Sequence, residues 1–275
     1  MPFVTGSIIV LNHNTRGLTL SCLHNFVAKL RAVGWEVIVV DNGSTDGSEQ
    51  AIREAFADVK VIRSERNLGF AGGNNLGLCE AQGAVVILIN SDVLAPAETL
   101  RDLADSLLAQ PTTGAISAGL MTPEGRPQAF AFGADPTVGY LLRRAAYALL
   151  GLGAMHEWDI AQPVQVDWVS GACLAVRREV VQQVGLLDEN FFLYFEDNDW
   201  CLRMRQAGWR VIYEPRLRVT HLGGVSQPKR RVANQYYYQG LVRFYRKHYG
   251  CGPALLLRLV LGPYQLLARL RWSGR

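Results

Sequence analysis

The run Val37-Ile38-Val39-Val40-Asp41-Asn42-Gly43-Ser44-Thr45-Asp46-Gly47-Ser48 sets a carboxylate at the end of a strongly β-branched segment. Such a run reads as a buried parallel strand, and the acidic, Gly/Ser-rich stretch after it reads as a turn into a helix. In an open α/β sheet, a strand tip facing a helix N-terminus is where a nucleotide is held. The Asp41 carboxylate could accept from a base N–H or a ribose hydroxyl, while the small residues let backbone approach the ligand. A purely structural turn has the same composition.

Two further acidic tips share this character. Ile87-Leu88-Ile89-Asn90-Ser91-Asp92 is an apolar strand ending in a polar, acidic step. A carboxylate there suits a hard divalent cation, because Mg²⁺ takes one or two protein carboxylates together with phosphate oxygens. An Asp at that position also caps helices. The pair Glu196-Asp197 precedes a helical stretch and stands among Phe191, Phe192, Tyr194, Phe195 and Trp200. Acids at a helix start complement the macrodipole without any chemistry, and aromatic residues in such a cluster serve equally as core.

The elements that must position these groups alternate. Strands are expected at Ser7–Leu11, Val37–Asp41, Val59–Arg63 and Ala84–Ile89, and helices at Thr19–Val33, Ser48–Phe56, Gly72–Ala81 and Ala97–Ala109. This rhythm implies an α/β fold, a mostly parallel central sheet with helices on both faces. Beyond it, Met121–Arg126 has the Pro and Gly of a hairpin turn. Phe130–Gln162 reads as irregular, its apolar Leu141–Leu152 part as a mobile or substrate-side insertion. Val164–Val169 and Cys173–Arg177 read as strands and Arg178–Val184 as a helix. Asn198–Ala207 is expected to be helical, Arg210–Tyr213 a strand and Asn234–Tyr249 a helix.

With 275 residues, about half of them apolar, the chain can bury a large core. Five scattered cysteines lack metal-type spacing and suit reduced thiols in a cytoplasmic protein, and no cleavable leader is evident. Charge is uneven. No Asp or Glu follows Glu214, whereas twelve Lys and Arg do; with a net charge of +4 overall, the preceding part carries −8. A basic end on an acidic body favours an anionic membrane surface over nucleic acid, for which no motif is present.

Taken in order, five blocks resemble an inverting family 2 glycosyltransferase of the GT-A fold, in its rhamnosyltransferase-like branch. They are Ile9-Val10-Leu11-Asn12-His13-Asn14, Val39 to Asp46, Asn67-Leu68-Gly69-Phe70-Ala71-Gly72-Gly73-Asn74-Asn75, Asn90-Ser91-Asp92 and Phe195-Glu196-Asp197-Asn198-Asp199-Trp200. His13 stands where Tyr is more usual, and Asn90 replaces the first Asp of the metal motif. The resemblance implies a nucleotide-diphospho-sugar donor, dTDP-rhamnose or a UDP-sugar, bound by Asn12, Asp41, Asn42, Ser44, Asn67, Gly72, Asn74, Asn90 and Ser91. It implies Mg²⁺ or Mn²⁺ on Asp92 and His221, and Asp197 as the base with Glu196 beside it. Trp168, Gly171, Ala172 and Trp200 would line the site of a glycan or lipid-linked acceptor. General-base help of this kind contributes ~10²–10⁴-fold.

The same resemblance divides the chain into a transferase domain over 1–228, with a donor half at 1–120 and an acceptor half at 121–228, and a basic helical C-terminal extension at 229–275. Arg258, Gly262, Gln265 and Arg269 recur at helical spacing opposite Leu256, Leu259, Leu266, Leu267 and Leu270. That pattern, broken at Gly262-Pro263, suits a kinked interfacial helix peripheral to the inner face of a membrane, or a helix packing on the domain or in a homodimer. The rival functions are a sugar nucleotidyltransferase, disfavoured by the single Arg in Asn12–Gly17, and a non-catalytic nucleotide-binding scaffold, which Asn90 keeps open.

Overall fold

A computed structural model describes residues 5–153, 155–223 and 230–272. Its first part runs β1 (Gly6–Asn12), α1 (Arg16–Arg31), β2 (Glu36–Asn42), α2 (Ser48–Ala55), β3 (Lys60–Ser64), α3 (Gly69–Glu80) and β4 (Val85–Asn90). The four strands are parallel in the order β3-β2-β1-β4. Connection direction reverses at β1, so right-handed crossovers set α1 and α2 on one face and α3 on the other. Accordingly α1 packs on α2. α3 meets β1 through glycines: a Cβ at Gly77 would stand 2.5 Å from Ile9. The reversal between β1 and β4 opens a crevice at the strand C-termini. Pairing Asn12 with Asp41 and Leu11 with Asn90 brings all three polar tips to that edge.

The second part contains β5 (Val93–Leu94), α4 (Ala97–Leu108), β6 (Thr113–Met121), β7 (Phe132–Gly133), α5 (Val138–Leu150), β8 (Val164–Gln165), β9 (Trp168–Val169), β10 (Cys173–Arg177), α6 (Arg178–Val184), α7 (Glu196–Gln206) and β11 (Arg210–His221). The sheet continues β4-β10-β6-β11-β5, with β8 also on β11. β10 lies antiparallel between β4 and β6, which leaves β1–β4, β6 and β11 pointing one way. The sheet is therefore mostly parallel by strand direction.

Four local expectations need correction. β6 is a fully buried strand that the sequence reading did not place, since Gly114, Ala115, Ser117, Ala118 and Gly119 give no β-branched signal. β11 extends eight residues past Tyr213 to His221 and pairs it with Val93. Leu141–Leu152, expected to be irregular, lies mostly in α5, whose start is capped by Thr137 accepting from the Tyr140 N–H. α7 begins at Glu196, not Asn198, so the acid pair occupies its first turn.

The C-terminal part forms α8 (Arg230–His248) and α9 (Cys251–Trp272). Gly250, at φ +90°, breaks the two apart. α9 is one helix through Gly262-Pro263, where the sequence suggested a break. Proline removes a single ladder bond, which flanking turns can tolerate. A second core joins Phe191 and Phe195 to Leu241, Phe244, Tyr245 and Ala254, with Leu141, Leu257 and Leu261 at its edge. The boundary expected at 228/229 lies outside the described residues, but α8 itself is packed onto the preceding fold.

Candidate functional site

At the β1–β2 edge, a hydrogen-bond network fixes the strand tips. Asn12, fully buried, donates to Asp41 Oδ1 at 2.9 Å and Ser44 Oγ at 3.0 Å. Its carbonyl oxygen accepts from Thr15 at 2.8 Å and Thr19 at 2.7 Å. Asp41 is fully buried, yet its Oδ2 has no hydrogen-bond donor, and Arg63 Nη1 stands 3.7 Å off, beyond hydrogen-bond range. A buried carboxylate oxygen left unpaired costs free energy unless a ligand supplies the donor.

The neighbouring amides hold the loop. Asn42 donates to Asn67 Oδ1 at 3.1 Å and to the Gly69 carbonyl at 3.0 Å, and accepts from the Leu68 N–H at 2.9 Å. Its amide protons are thus committed to the protein, which fits a clamp on the 67–69 turn better than a donor contact. Gly43, at φ +72°, admits that turn, since a Cβ there would stand 2.5 Å from Arg66. Asn67 is exposed, and its Oδ1 accepts from Asn42 and from the Gly69 N–H at 2.8 Å. Asn74 donates back to Phe70 O at 3.0 Å within α3, and Gly72 is buried against Leu68.

Across the crevice, Ser91 Oγ lies 2.9 Å from Thr15 Oγ1, and the Asn90 N–H donates to Ala172 O at 2.9 Å. Asp92, 1% exposed, sets Oδ1 at 3.2 Å from His221 Nε2. His221 Nδ1 is 2.8 Å from Gln128 Oε1, an oxygen that can only accept. Nδ1 therefore carries the proton in the neutral ring, and the Nε2 lone pair faces the Asp92 carboxylate. A lone pair and a carboxylate side by side are a donor set for a hard divalent cation, as adjacent ligands of an octahedral ion at ~2.1 Å stand about 3 Å apart. Among the described residues, no group of three or more His, Cys, Asp or Glu gathers elsewhere or here.

The acid pair sits against the Ser170–Ala172 loop. Asp197 Oδ1 accepts from the Asn198 N–H at 2.8 Å, and Oδ2 accepts a longer bond from the Gly171 N–H at 3.4 Å. Burial raises Asp197 to about 6 despite those donors. Burial, followed by the Asp197 charge, pushes Glu196 well above the usual carboxylate range, and its Oε2 has no partner. With a value near 6, Asp197 is largely ionised at neutral pH. The backbone ahead of it is strained: Tyr194 and Phe195 lie at φ +69° and +73°. Gly240 of α8 makes this possible, for a Cβ there would stand 2.8 Å from Tyr194 O and 2.9 Å from Phe195 Cδ2.

Of the aromatic residues assigned to the acceptor, Trp168 is half-buried and donates to Ala134 O at 3.0 Å. Trp200 is a correction: fully buried, with its indole N–H on Gly185 O at 2.9 Å, it packs core and shows no face to an acceptor. Several supporting residues were missed from sequence. Thr15 and Thr19 lie one helical turn apart after Asn12, a spacing that could have flagged them. Gln128 and Gly240 carry no such local signal. Asp199, read only as a neighbour of the pair, is fully buried and bonds His248 and Lys247 at 2.7 Å each, pinning α8 to α7.

A strand-end crevice at a topological switch point, edged by one unsatisfied carboxylate and an Asp–His pair, is the place where open α/β sheets take their ligands. Comparison makes the class specific. Residues 85–275 match the family model Glycosyl transferase family group 2, and residues 7–131 match Glycosyl transferase family 2. The chain belongs to the family 2 glycosyltransferases.

It is 31% identical over 205 residues to an N-acetylglucosaminyl-diphospho-decaprenol L-rhamnosyltransferase of Mycobacterium tuberculosis, covering 67% of this chain and 66% of that protein. It is 29% identical over 211 residues to the low-salt glycan biosynthesis hexosyltransferase Agl10 of Haloferax volcanii, covering 74% and 63%. The chain thus spans just under two thirds of each relative. A mannosyltransferase of Pyrobaculum calidifontis, solved with GDP-Man and Mn²⁺, superposes with a TM-score of 0.61 at 23% identity over 96% of this chain and 70% of that one. That likeness establishes the GT-A fold.

Proposed function

We propose that this chain is an inverting transferase that moves a sugar from a nucleotide-diphospho-sugar, dTDP-rhamnose or a UDP-sugar, onto a glycan or lipid-linked acceptor in cell-envelope polysaccharide synthesis. The observation that carries it is Asp41 Oδ2, buried at the strand tip and lacking a donor. Uracil and thymine both offer an N3–H to such an oxygen. Asp92 and His221 would hold Mg²⁺ or Mn²⁺, which would neutralise charge on the departing diphosphate. The Mn²⁺ in the Pyrobaculum enzyme is in keeping with this.

Asp197 takes the proton of the acceptor hydroxyl as that oxygen attacks the anomeric carbon. The bond from that carbon to the diphosphate oxygen breaks on the opposite side, its electron pair leaves with the nucleoside diphosphate, and configuration inverts. Trp168, Gly171 and Ala172 border the approach of the acceptor. No helix among the described residues is long and apolar enough to cross a membrane. Leu255, Leu256 and Leu259 of α9, with Val138 and Leu142 of α5, nonetheless stay more than half exposed around the second core. That surface, with exposed Arg258 on the same helix, supports peripheral attachment at the inner face of an anionic membrane.

The deciding test is a thermal-shift panel of UDP, dTDP, GDP and CDP with Mn²⁺, Mg²⁺ or EDTA. A ligand at 100 times its Kd stabilises by ~2.7 kcal/mol. The expected result is a metal-dependent shift with UDP or dTDP, lost in Asp92→Ala. No shift with any nucleotide overturns the reading. A shift without sugar transfer to any lipid-linked acceptor favours the scaffold.

A further inference from the structure

Outside the crevice, α5 and the segment after it enclose a cavity of about 230 Å³ lined by Phe130, Tyr140, Arg144, Tyr147, His156 and Trp158. Phe130 and His156 flank Trp158 at ring centroid distances of 5.4 and 5.2 Å, and Tyr140 OH lies 2.7 Å from His156 Nε2. Aromatic faces with hydroxyl and imidazole groups at their edges suit the C–H face and hydroxyls of one sugar ring.

The charge at the rim is uncompensated. Neither Arg143 nor Arg144 pairs with a carboxylate among the described residues. Arg143 donates to Met155 Sδ at 3.3 Å, and Arg144 donates to Tyr237 OH at 3.3 Å and sits 6.0 Å from the Phe130 ring centroid. His156 is held below its ordinary pKa by burial and then by these two positive charges. An anion at the rim would relieve that field.

The cavity is linked to the acid pair by two routes. Tyr237 rests against Phe195, 5.1 Å between centroids, directly before Glu196. Trp158 meets Phe132, which pairs with Val169 beside Trp168.

We infer that this cavity receives the phosphate-linked sugar of the lipid-borne acceptor, its ring among the aromatic walls and its phosphate on Arg144 at the rim. The inference rests on the transferase reading above and names where that acceptor is held. Arg guanidinium is suited to phosphate by its planar fork of donors. Leu142, Leu150 and Leu152, on and just after the same helix α5, are exposed and offer apolar surface to a lipid chain.

The test is calorimetric titration of the full chain with three probes in glucose, galactose and N-acetylglucosamine forms: the free sugar, the sugar 1-phosphate and a short-chain prenyl diphosphate of the sugar. Inorganic phosphate and dTDP or UDP are titrated separately. For one sugar, both phosphate-bearing forms should bind about tenfold or more tighter than the free sugar. Arg144→Gln should erase that advantage, Trp158→Leu should weaken all three forms, and neither should alter nucleotide affinity.

The inference is overturned if no form binds, if Arg144→Gln binds as the unaltered protein does, or if only the free 1-phosphate binds. The last outcome would mark a site for soluble sugar phosphates. Nucleotide binding with any of these results leaves the transferase reading standing and removes only the cavity assignment. Absent nucleotide binding removes the reading itself.

Discussion

Asp41 and Asp197 face the same crevice from opposite mechanical settings. Asp41 ends a central strand, its Oδ1 held by Asn12, which is itself held by Thr15 and Thr19. Nothing there needs to move, and the one open valence is Oδ2. Asp197 opens a helix behind two left-handed residues, Tyr194 and Phe195, propped from outside by Gly240 of α8. The donor side is thus organised by hydrogen bonds along strand ends. The acceptor side is organised by strained backbone and aromatic packing. In the proposed roles, a carboxylate that only accepts from a nucleobase gains from rigidity, whereas one that exchanges a proton needs a raised pKa, and burial supplies that.

The largest effect should come from the Asp197 side. Asp197→Asn is expected to lower kcat by ~10²–10⁴-fold, measured as sugar transfer at saturating donor, with nucleotide affinity unchanged. If affinity fell with it, the two sides would not be separable as described. The converse substitution, Asp41→Ala, should raise the Kd for dTDP or UDP by about ten- to a hundredfold in a direct titration. A Kd that stays put would place the base elsewhere.

Gly240→Ala sharpens the comparison because Gly240 is none of the residues assigned to donor, metal or acceptor and acts only through Tyr194 and Phe195. Its new Cβ would press on Tyr194 O and Phe195 Cδ2, and both precede the acid pair. Sub-ångström displacement of a catalytic group is costly, so kcat should fall by about tenfold while donor Kd holds. Stability, read as Tm, tells whether the helix has simply detached.

The two sides also differ in how far they could be read from the chain. The β1–β4 half was legible because β1, β2 and β4 are β-branched and change abruptly to Asn or Asp at their ends. Its site residues sit within a few positions of those changes. On the other side, β6 is built of glycine, alanine and serine, whose burial depends on partners far away in sequence. Trp200 looked like a wall for a sugar, but helical phase turns it into the core. The α8 contacts that hold Tyr194 and Phe195 cross more than 40 residues and have no local periodicity to announce them.

The smallest effect on rate is expected from Glu196→Gln, paired with a pH profile. With Asp197 raised to about 6, log(kcat/KM) should climb with pH through that value and then level off. Glu196 is raised well above 4.5 by burial and then by the Asp197 charge, which favours its neutral form. Glutamine copies that neutral form, and kcat at pH 7 should stay within about threefold.

Stability should separate the two proteins instead. A carboxyl whose folded pKa is raised stabilises the fold fully below its unfolded pKa and loses that contribution as pH rises through the folded value. The Tm of the unaltered protein should therefore drop toward alkaline pH more steeply than that of Glu196→Gln, by about 2–4 °C at pH 9. Equal slopes would mean that Glu196 is already solvated or paired, and a large loss of kcat would make Glu196 rather than Asp197 the proton acceptor.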